Sequence, residues 1–359
     1  MHWLTDLMAA IGVVLNGIPQ GIMAMGLGFA VFPTTFSFVL VAGINFFCKS
    51  VAPVSFQAES LALTSDVGRN PREFTSIIFG GSVIMLIIGL TGTLTKIVHF
   101  LGTHIVTGMM AGVGLMLVKI ALEMAKPTED DARSFTPWIS IIVAIITYLI
   151  SKDLVWTICL SVILSSLYAI FIEHYHADLP ASVTRRKFMF TKPIFNQRTI
   201  RGALSLACLN IGANLSYGLI TGQMTGIKPN PVNLNLLTSS QAFADMGTSL
   251  LGGAPVETII SATANAPEPV IAGCLMMLIM AVILLIGLLP KIGRYVPSSS
   301  IAGFLLVLGL FVTFPSNAIT ALHGGNCLVA ATAIIVTGLV DPFAGLVSSA
   351  ALQAILGIL

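Results

Sequence analysis

Ala52-Pro53-Val54 recurs in the second half of the chain as Ala254-Pro255-Val256, and the two copies mark the points at which a long apolar pattern breaks. Each copy lies in a short apolar segment, at 51–64 and at 254–265. Neither segment is long enough to cross a bilayer, which takes about 20 residues. We therefore predict two broken segments whose irregular backbone must be covered by protein or must line a water-filled cavity.

The rest of the sequence is strongly apolar. Charged residues make up 9 % of the chain, apolar residues 56 %, and the mean hydropathy is +0.96, whereas soluble domains are about 25 % charged. This composition predicts an all-α polytopic membrane protein with 14 transmembrane segments. The segments run over 8–31, 35–48, 51–64, 74–95, 100–122, 136–151 and 154–172 in the first half, and over 202–224, 236–251, 254–265, 269–289, 298–314, 316–339 and 341–359 in the second.

The two halves also match each other in order. Matches at a constant offset pair Lys96-Ile97 with Lys291-Ile292, Gly108 with Gly303, and Gly114 with Gly309. Seven crossings are an odd number, so the second copy must enter the membrane from the opposite face. We predict an inverted repeat, which is typical of transporters, with copies at 1–172 and 201–359 joined by a polar linker at 173–200.

Polar side chains inside apolar segments are the candidate site residues, because such groups are costly at membrane depth and usually functional. A desolvated carboxyl on a broken segment can bind and release a proton, whereas the alternative for each residue is a cap or a contact between helices. The predicted substrate-binding residues are Gln20, Phe56, Asn210, Asn214 and Glu257, of which Phe56 could stack on a ring. The predicted proton-coupling residues are Glu257, Glu59 and Asp245.

Several classes of function are disfavoured by the sequence. The net charge of +2 suggests no nucleic-acid partner, and the five cysteines are scattered without metal-ligand spacing. There is no arrangement of nucleophile, base and acid, so we predict no enzyme activity, no metal and no cofactor. No Lys or Arg lies in the middle of a segment near the candidate site, which favours a neutral, hydrogen-bonding solute.

The chain resembles the superfamily that contains the xanthine/uracil permeases (nucleobase–ascorbate transporters) and the SulP sulfate permeases. Gln20-Gly21-Ile22-Met23-Ala24-Met25 is similar to the first segment of the uracil permeases, whereas Ile18-Pro19-Gln20-Gly21 and Ser50-Val51-Ala52-Pro53-Val54 are similar to SulP segments. The resemblance implies seven plus seven inverted segments, with short strand-bearing third and tenth segments between a core and a gate domain.

The sequence departs from both families at the site that the resemblance implies. Asn210 stands where the permeases carry an acidic residue in the eighth segment, and Thr258-Ile259-Ile260 replaces their tenth-segment signature. Ala262 stands where SulP proteins carry an arginine. The superfamily is therefore better defined than the subfamily.

We expect proton-coupled uptake of a nucleobase-like heterocycle, a purine or pyrimidine, by alternating access. The alternative is a SulP-type transporter of an inorganic or organic anion, and a remote alternative is a membrane protein that does not transport. The expected partners are a small-molecule substrate, a coupling proton or sodium ion, the lipid bilayer and a second copy of the chain in a homodimer. The expected location is the cell inner (plasma) membrane.

The orientation in the membrane is left open. Most basic loop residues, including Arg185-Arg186-Lys187, lie on the same side of the membrane as the linker. Basic loops prefer the cytoplasm, which would place the linker inside the cell and both termini outside. The family resemblance implies the opposite orientation, with both termini in the cytoplasm.

Overall fold

The protein is a set of packed apolar helices, and the computed structural model describes residues 2–126, 134–175, 181–184, 188, 190–228, 231–323 and 326–357. The first half contains α1 (His2–Gly26), α2 (Val31–Cys48), α3 (Ala58–Val67), α4 (Pro71–Thr91), α5 (Leu94–Leu101), α6 (Thr103–Met124), α7 (Thr136–Ser151) and α8 (Leu154–Phe171). After the one-turn helix α9 (Ala181–Thr184), the second half contains α10 (Gln197–Met224), α11 (Leu234–Leu250), α12 (Pro269–Leu285), α13 (Leu288–Gly293), α14 (Ala302–Val307), α15 (Phe314–Leu322), α16 (Cys327–Leu339) and α17 (Pro342–Ile355).

The helical, multi-pass membrane class predicted from the sequence is confirmed. Among the described residues, six helices are long and apolar enough to cross a membrane, and five further apolar helices are shorter. The count of 14 segments stays a prediction, as does the division into two repeats and a linker. Part of that linker, at 176–180, 185–187 and 189, lies outside the described residues.

One two-stranded sheet joins the two broken segments. β1 (Val54–Ser55) pairs antiparallel with β2 (Glu257–Thr258), so that Ser55 lies opposite Glu257. Neighbouring side chains satisfy the backbone beside the strands: the Asn45 amide donates to the Ala52 carbonyl at 2.8 Å, and the Thr34 hydroxyl accepts from the Ala254 amide at 3.0 Å. The irregular backbone is thus covered by protein, as its depth in the membrane requires.

The helices form two bundles. The first bundle contains α1–α4, α10–α12 and both strands; within it α2 packs on α12 and α4 packs on α11. The second bundle contains α6–α8 and α14–α17; within it α6 packs on α16 and α7 packs on α14. The pairings match between the two halves. If each helix is replaced by the corresponding helix of the other half, α2–α12 becomes α11–α4, and α6–α16 becomes α14–α7.

Glycines that match between the halves lie at equivalent contacts in the second bundle. Gly108 of α6 abuts α16 at the Ala330 carbonyl, and Gly303 of α14 abuts α7 at the Ser140 carbonyl. Gly114 and Gly309 abut each other, because a Cβ on Gly114 would lie 2.9 Å from the Gly309 carbonyl oxygen. Small residues at these positions let the helix backbones approach closely, as is common between membrane helices.

The predicted boundary between segments 298–314 and 316–339 is wrong. One helix runs over Ser299–Leu322 and passes through Pro315, with a π-helical turn at Leu308–Thr313 just before the proline. Such a turn, together with side-chain donors, accommodates a proline inside a membrane helix. The Ser316 hydroxyl donates to the Val312 carbonyl at 2.6 Å and the Asn317 amide to the Thr313 carbonyl at 2.8 Å.

Candidate substrate site

A cavity of about 470 Å³ lies between the two bundles, next to β1. Its deep end is formed by buried side chains of the first bundle, Gln20, Ser55 and Glu59. Its exposed lining residues lie at the other end, close to the ends of α10 and α15: Ile220, Ile260, Ser316 and Thr320. The cavity therefore opens toward one face of the protein and ends beside the strand pair.

The deep end depends on a close contact between α1 and β1. Asn16 and Gln20 are one turn apart, so their side chains share one face of α1, and the Gln20 amide donates to the Asn16 carbonyl at 3.3 Å. Gly17 lies between them, and a Cβ there would come within 2.7 Å of the Ser55 hydroxyl oxygen. The missing side chain at Gly17 therefore lets α1 approach β1 closely at Ser55.

Four side-chain oxygens around this end are inaccessible and have no hydrogen-bond partner among the described residues. They are Asn16 Oδ1, Gln20 Oε1, Ser55 Oγ and Glu59 Oε2, and all four residues line the cavity. Buried polar atoms without a partner are rare in proteins, because leaving one unpaired costs about 1–3 kcal/mol. A bound solute that donates hydrogen bonds, a cation or water would satisfy them.

Glu59 lies in the first turn of α3, at the point where that helix follows β1. Its side chain is 3 % exposed, and its Oε1 accepts a hydrogen bond from the Tyr217 hydroxyl at 3.3 Å. The structure thus brings Glu59 to the deep end of the cavity. Tyr217, which also lines the cavity, was not predicted, although it follows Asn214 by one helical turn.

Two further carboxyls lie outside the cavity lining. Glu257 lies opposite Ser55 in the strand pair and is 1 % exposed. Asp245 accepts a hydrogen bond from the Val256 amide at 2.8 Å and so holds the backbone that enters β2. Both Glu59 and Asp245 interact electrostatically with Glu257.

The two predicted asparagines of α10 also lie outside the cavity lining. The Asn214 side chain accepts from the Thr258 hydroxyl at 2.8 Å and donates to the Thr238 hydroxyl at 3.2 Å, so it links β2 to α11. Asn210 is 5 % exposed, and its Oδ1 has no partner among the described residues. Neither residue is part of the cavity lining.

Phe56 is fully buried and does not line the cavity. Its ring packs edge-on against Phe38 at 5.4 Å between ring centroids. Gly21 of α1 lies against the same ring, since a Cβ there would come within 3.0 Å of it. The ring is therefore occupied by neighbours of the first bundle.

The described residues that line the cavity include no Lys and no Arg. Their polar groups are amides, hydroxyls and the single carboxyl of Glu59. The lining residues that the sequence did not single out include three polar side chains of α15, namely Ser316, Asn317 and Thr320. They follow Pro315 closely, at the segment boundary that was wrongly placed.

Comparison with known proteins finds likeness at the level of structure. No protein-family model matches the chain, and no curated protein matches it in sequence. The transmembrane domain of a cyanobacterium bicarbonate transporter, BicA, is 15 % identical with a TM-score of 0.71, and the match covers 96 % of this chain and 97 % of that one.

Two structures of a second kind of transporter match equally well. SLC26A9 is 13 % identical with a TM-score of 0.70, covering 99 % of this chain and 65 % of that one. The murine Slc26a9 anion transporter in the inward-facing state is 13 % identical with a TM-score of 0.69, covering 99 % and 68 %. The chain thus shares the overall fold of these transporters, and the xanthine/uracil permease side of the resemblance gains no support.

Proposed function

We propose that this chain is a secondary transporter that moves a small anion across the membrane by alternating access. The observation that carries the proposal is a cavity whose exposed lining residues lie at one end and whose buried end reaches the meeting point of the two broken segments. A site that opens to one face at a time is what alternating access requires. The likeness of the whole fold to a bicarbonate transporter and an anion transporter supports an anion as the substrate.

The nucleobase substrate loses the stacking contact that the sequence proposed for it, because Phe56 is fully buried against Phe38 and does not line the cavity. The choice of an anion therefore rests on the likeness of the fold. An anion needs hydrogen-bond donors, which the Asn16 and Gln20 amides and the Ser55 hydroxyl can supply. The N-terminus of α3 adds the positive end of a helix dipole beside Glu59.

An anion in this cavity needs a positive partner. Two like charges about 4 Å apart repel by roughly 4 kcal/mol at an effective dielectric constant of 20, and no Lys or Arg among the described lining residues offsets the charge of Glu59. Glu59 must therefore take up a proton or a sodium ion when the anion binds. This supports symport, with Glu59 as the coupling residue.

The other predicted residues keep proposed roles, although they do not line the cavity. Glu257 and Asp245, which interact electrostatically, are the alternative candidates for proton coupling. Asn210 remains a candidate for contact with the substrate in another state of the transport cycle. A homodimer and a location in the cell inner (plasma) membrane are further expectations.

Uptake into proteoliposomes tests the proposal. The panel contains labelled bicarbonate, sulfate, uracil and xanthine, each with an imposed proton gradient, an imposed sodium gradient, or neither. We expect accumulation of one of the anions that depends on one gradient, and its loss in Glu59→Gln but not in Glu123→Gln, where an exposed carboxyl outside the cavity is removed. Uptake of uracil or xanthine alone would overturn the anion substrate, and uptake of none of the four would overturn this choice of substrates.

A further inference from the structure

Two ion pairs connect the first bundle to the second. Lys119 of α6 lies 3.3 Å from Asp66, near the end of α3. Arg201 of α10 donates from Nε to Asp341 Oδ2 at 2.7 Å, and Asp341 lies between α16 and α17. Each pair therefore has one member in each bundle.

Asp341 is the more buried of the acidic partners, with 0 % exposure. Its Oδ1 accepts from the Ser205 hydroxyl of α10 at 2.9 Å and from the Ala344 amide at 2.8 Å. The latter bond caps the N-terminus of α17. One carboxylate thus ends a helix of the second bundle and binds two side chains of the first.

Both pairs lie at the end of the protein that is opposite the mouth of the cavity. Along α6, Lys119 is about 18 Å from the cavity-lining Thr107, and along α10, Arg201 is about 28 Å from the cavity-lining Ile220, at about 1.5 Å per residue. Asp66, Arg201 and Asp341 line one surface cleft of about 610 Å³ between the bundles.

We propose that the Asp66–Lys119 and Arg201–Asp341 pairs are the closed gate of the transport pathway. They hold the two bundles together at one face while the cavity is open at the other, and they must separate before the site opens to their face. This inference rests on the proposed function, because it takes the cavity as the transport site. The four residues of the two pairs lie outside the cavity lining.

A third ion pair on the same face provides the control. Arg198 of α10 lies 3.3 Å from Glu73 of α4, and both helices belong to the first bundle. Loss of this pair removes a similar charge interaction at a similar depth, yet it breaks no link between the bundles. Loss of the Arg198–Glu73 pair should therefore have no effect on the opening of the gate.

The thiol of Cys208 reports on the gate. It lies two turns beyond Arg201 on α10, is 8 % exposed and interacts electrostatically with Asp341. With Cys48, Cys159, Cys274 and Cys327 replaced by Ala, it is the one thiol left in the chain. Separation of α10 from α17 would expose it to N-ethylmaleimide.

The experiment measures the labelling rate of Cys208 by mass spectrometry, in purified protein in lipid nanodiscs without substrate. Asp341→Asn keeps the helix cap of α17, and Lys119→Gln removes a half-exposed charge, so both variants should fold. We expect the two changes together to speed labelling at least about fivefold, the effect of about 1 kcal/mol on an equilibrium constant. Arg198→Gln should label at the parent rate.

A charge exchange provides the second readout. Lys119→Asp alone should speed labelling, and adding Asp66→Lys should restore the parent rate, because the pair re-forms with reversed signs. An unchanged rate in the double variant, an equal increase in Arg198→Gln, or no rescue by the exchange would overturn the gate. Labelling needs no transported solute, so a protein that transports none of the tested anions would fail the uptake panel without failing this test.

Discussion

The third and tenth segments begin alike and end differently. Both carry Ala-Pro-Val and both contribute one strand to the pair, but β1 runs directly into the ten-residue helix α3, whereas β2 leads only to the single 3₁₀ turn Ala262–Asn265. The residues after each strand account for this. Ala58–Val67 contains good helix formers, whereas Thr258-Ile259-Ile260 is β-branched and two prolines, Pro267 and Pro269, follow.

This difference decides which carboxyl meets the cavity. The helix after β1 carries Glu59 in its first turn, beside the cavity, whereas Glu257 lies on β2 itself and outside the lining. The two copies of the motif therefore have different roles. The third segment contacts the proposed solute, and the tenth segment supports the third.

Replacing each carboxyl with its amide is the sharpest test of these different roles. Glu59→Gln should abolish gradient-driven accumulation, a loss of about tenfold or more, while exchange of bound solute across the membrane persists, because the amide keeps the shape and the bond to Tyr217 but cannot take up a cation or proton. Glu257→Gln should accumulate solute. Accumulation measured in both variants decides the matter, and the reverse result would assign coupling to Glu257 of the tenth segment.

Crowding the contact between α1 and β1 should impair the third segment alone. A Cβ at position 17 would displace the Ser55 hydroxyl and the end of Met280, both movable side-chain atoms. Gly17→Ala should thus weaken substrate binding by about 1–3 kcal/mol, with a smaller loss of thermal stability. Gly12→Ala is the matched control, since no atom lies within 4 Å of a Cβ there. Equal binding in the two variants would contradict the role of Ser55.

Asn214→Ala should affect the tenth segment through stability. It removes the bonds to Thr258 and Thr238, so we expect a loss of about 1–2 kcal/mol in stability, seen as a lower melting temperature, with substrate affinity nearly unchanged. Asn210→Ala, one turn earlier, should cost less because its Oδ1 has no partner among the described residues. A selective loss of affinity in Asn214→Ala would instead restore the asparagine to the substrate site.

Tyr217→Phe should have the smallest effect. It removes the hydrogen bond at 3.3 Å to Glu59, which is worth about 0.5–1.5 kcal/mol. The concentration of the coupling ion that gives half-maximal uptake should shift a few-fold, with little change in stability. A fall in the maximal rate of uptake with no shift in that concentration would show that the tyrosine acts independently of Glu59.

Some features of the site were predictable because they are local. Hydropathy found the apolar segments, and the paired Pro-interrupted stretches marked the meeting point of the halves, since irregular backbone at membrane depth must line a cavity or be covered. Gln20 and Glu59 were named from the sequence and do line the cavity. The matching glycines also lie at corresponding helix contacts.

Other predictions were wrong because they relied on local patterns alone. Pro315 was taken as the end of a segment, because a proline normally breaks a helix, but a π-helical turn and two side-chain bonds carry the helix past it. The placement of Phe56 and Asn214 depends on Phe38 and Thr238, partners from other segments that no local pattern specifies.

The sequence by itself thus determined that the chain spans a membrane many times and that its two broken segments form the centre, because burial in lipid constrains composition and backbone directly. Only the tertiary structure decided which polar groups reach the cavity and which support it. That choice depends on the register of one strand pair, on the helix that follows each strand and on the close approach of α1 at Gly17. All three are contacts between segments that are distant in the chain.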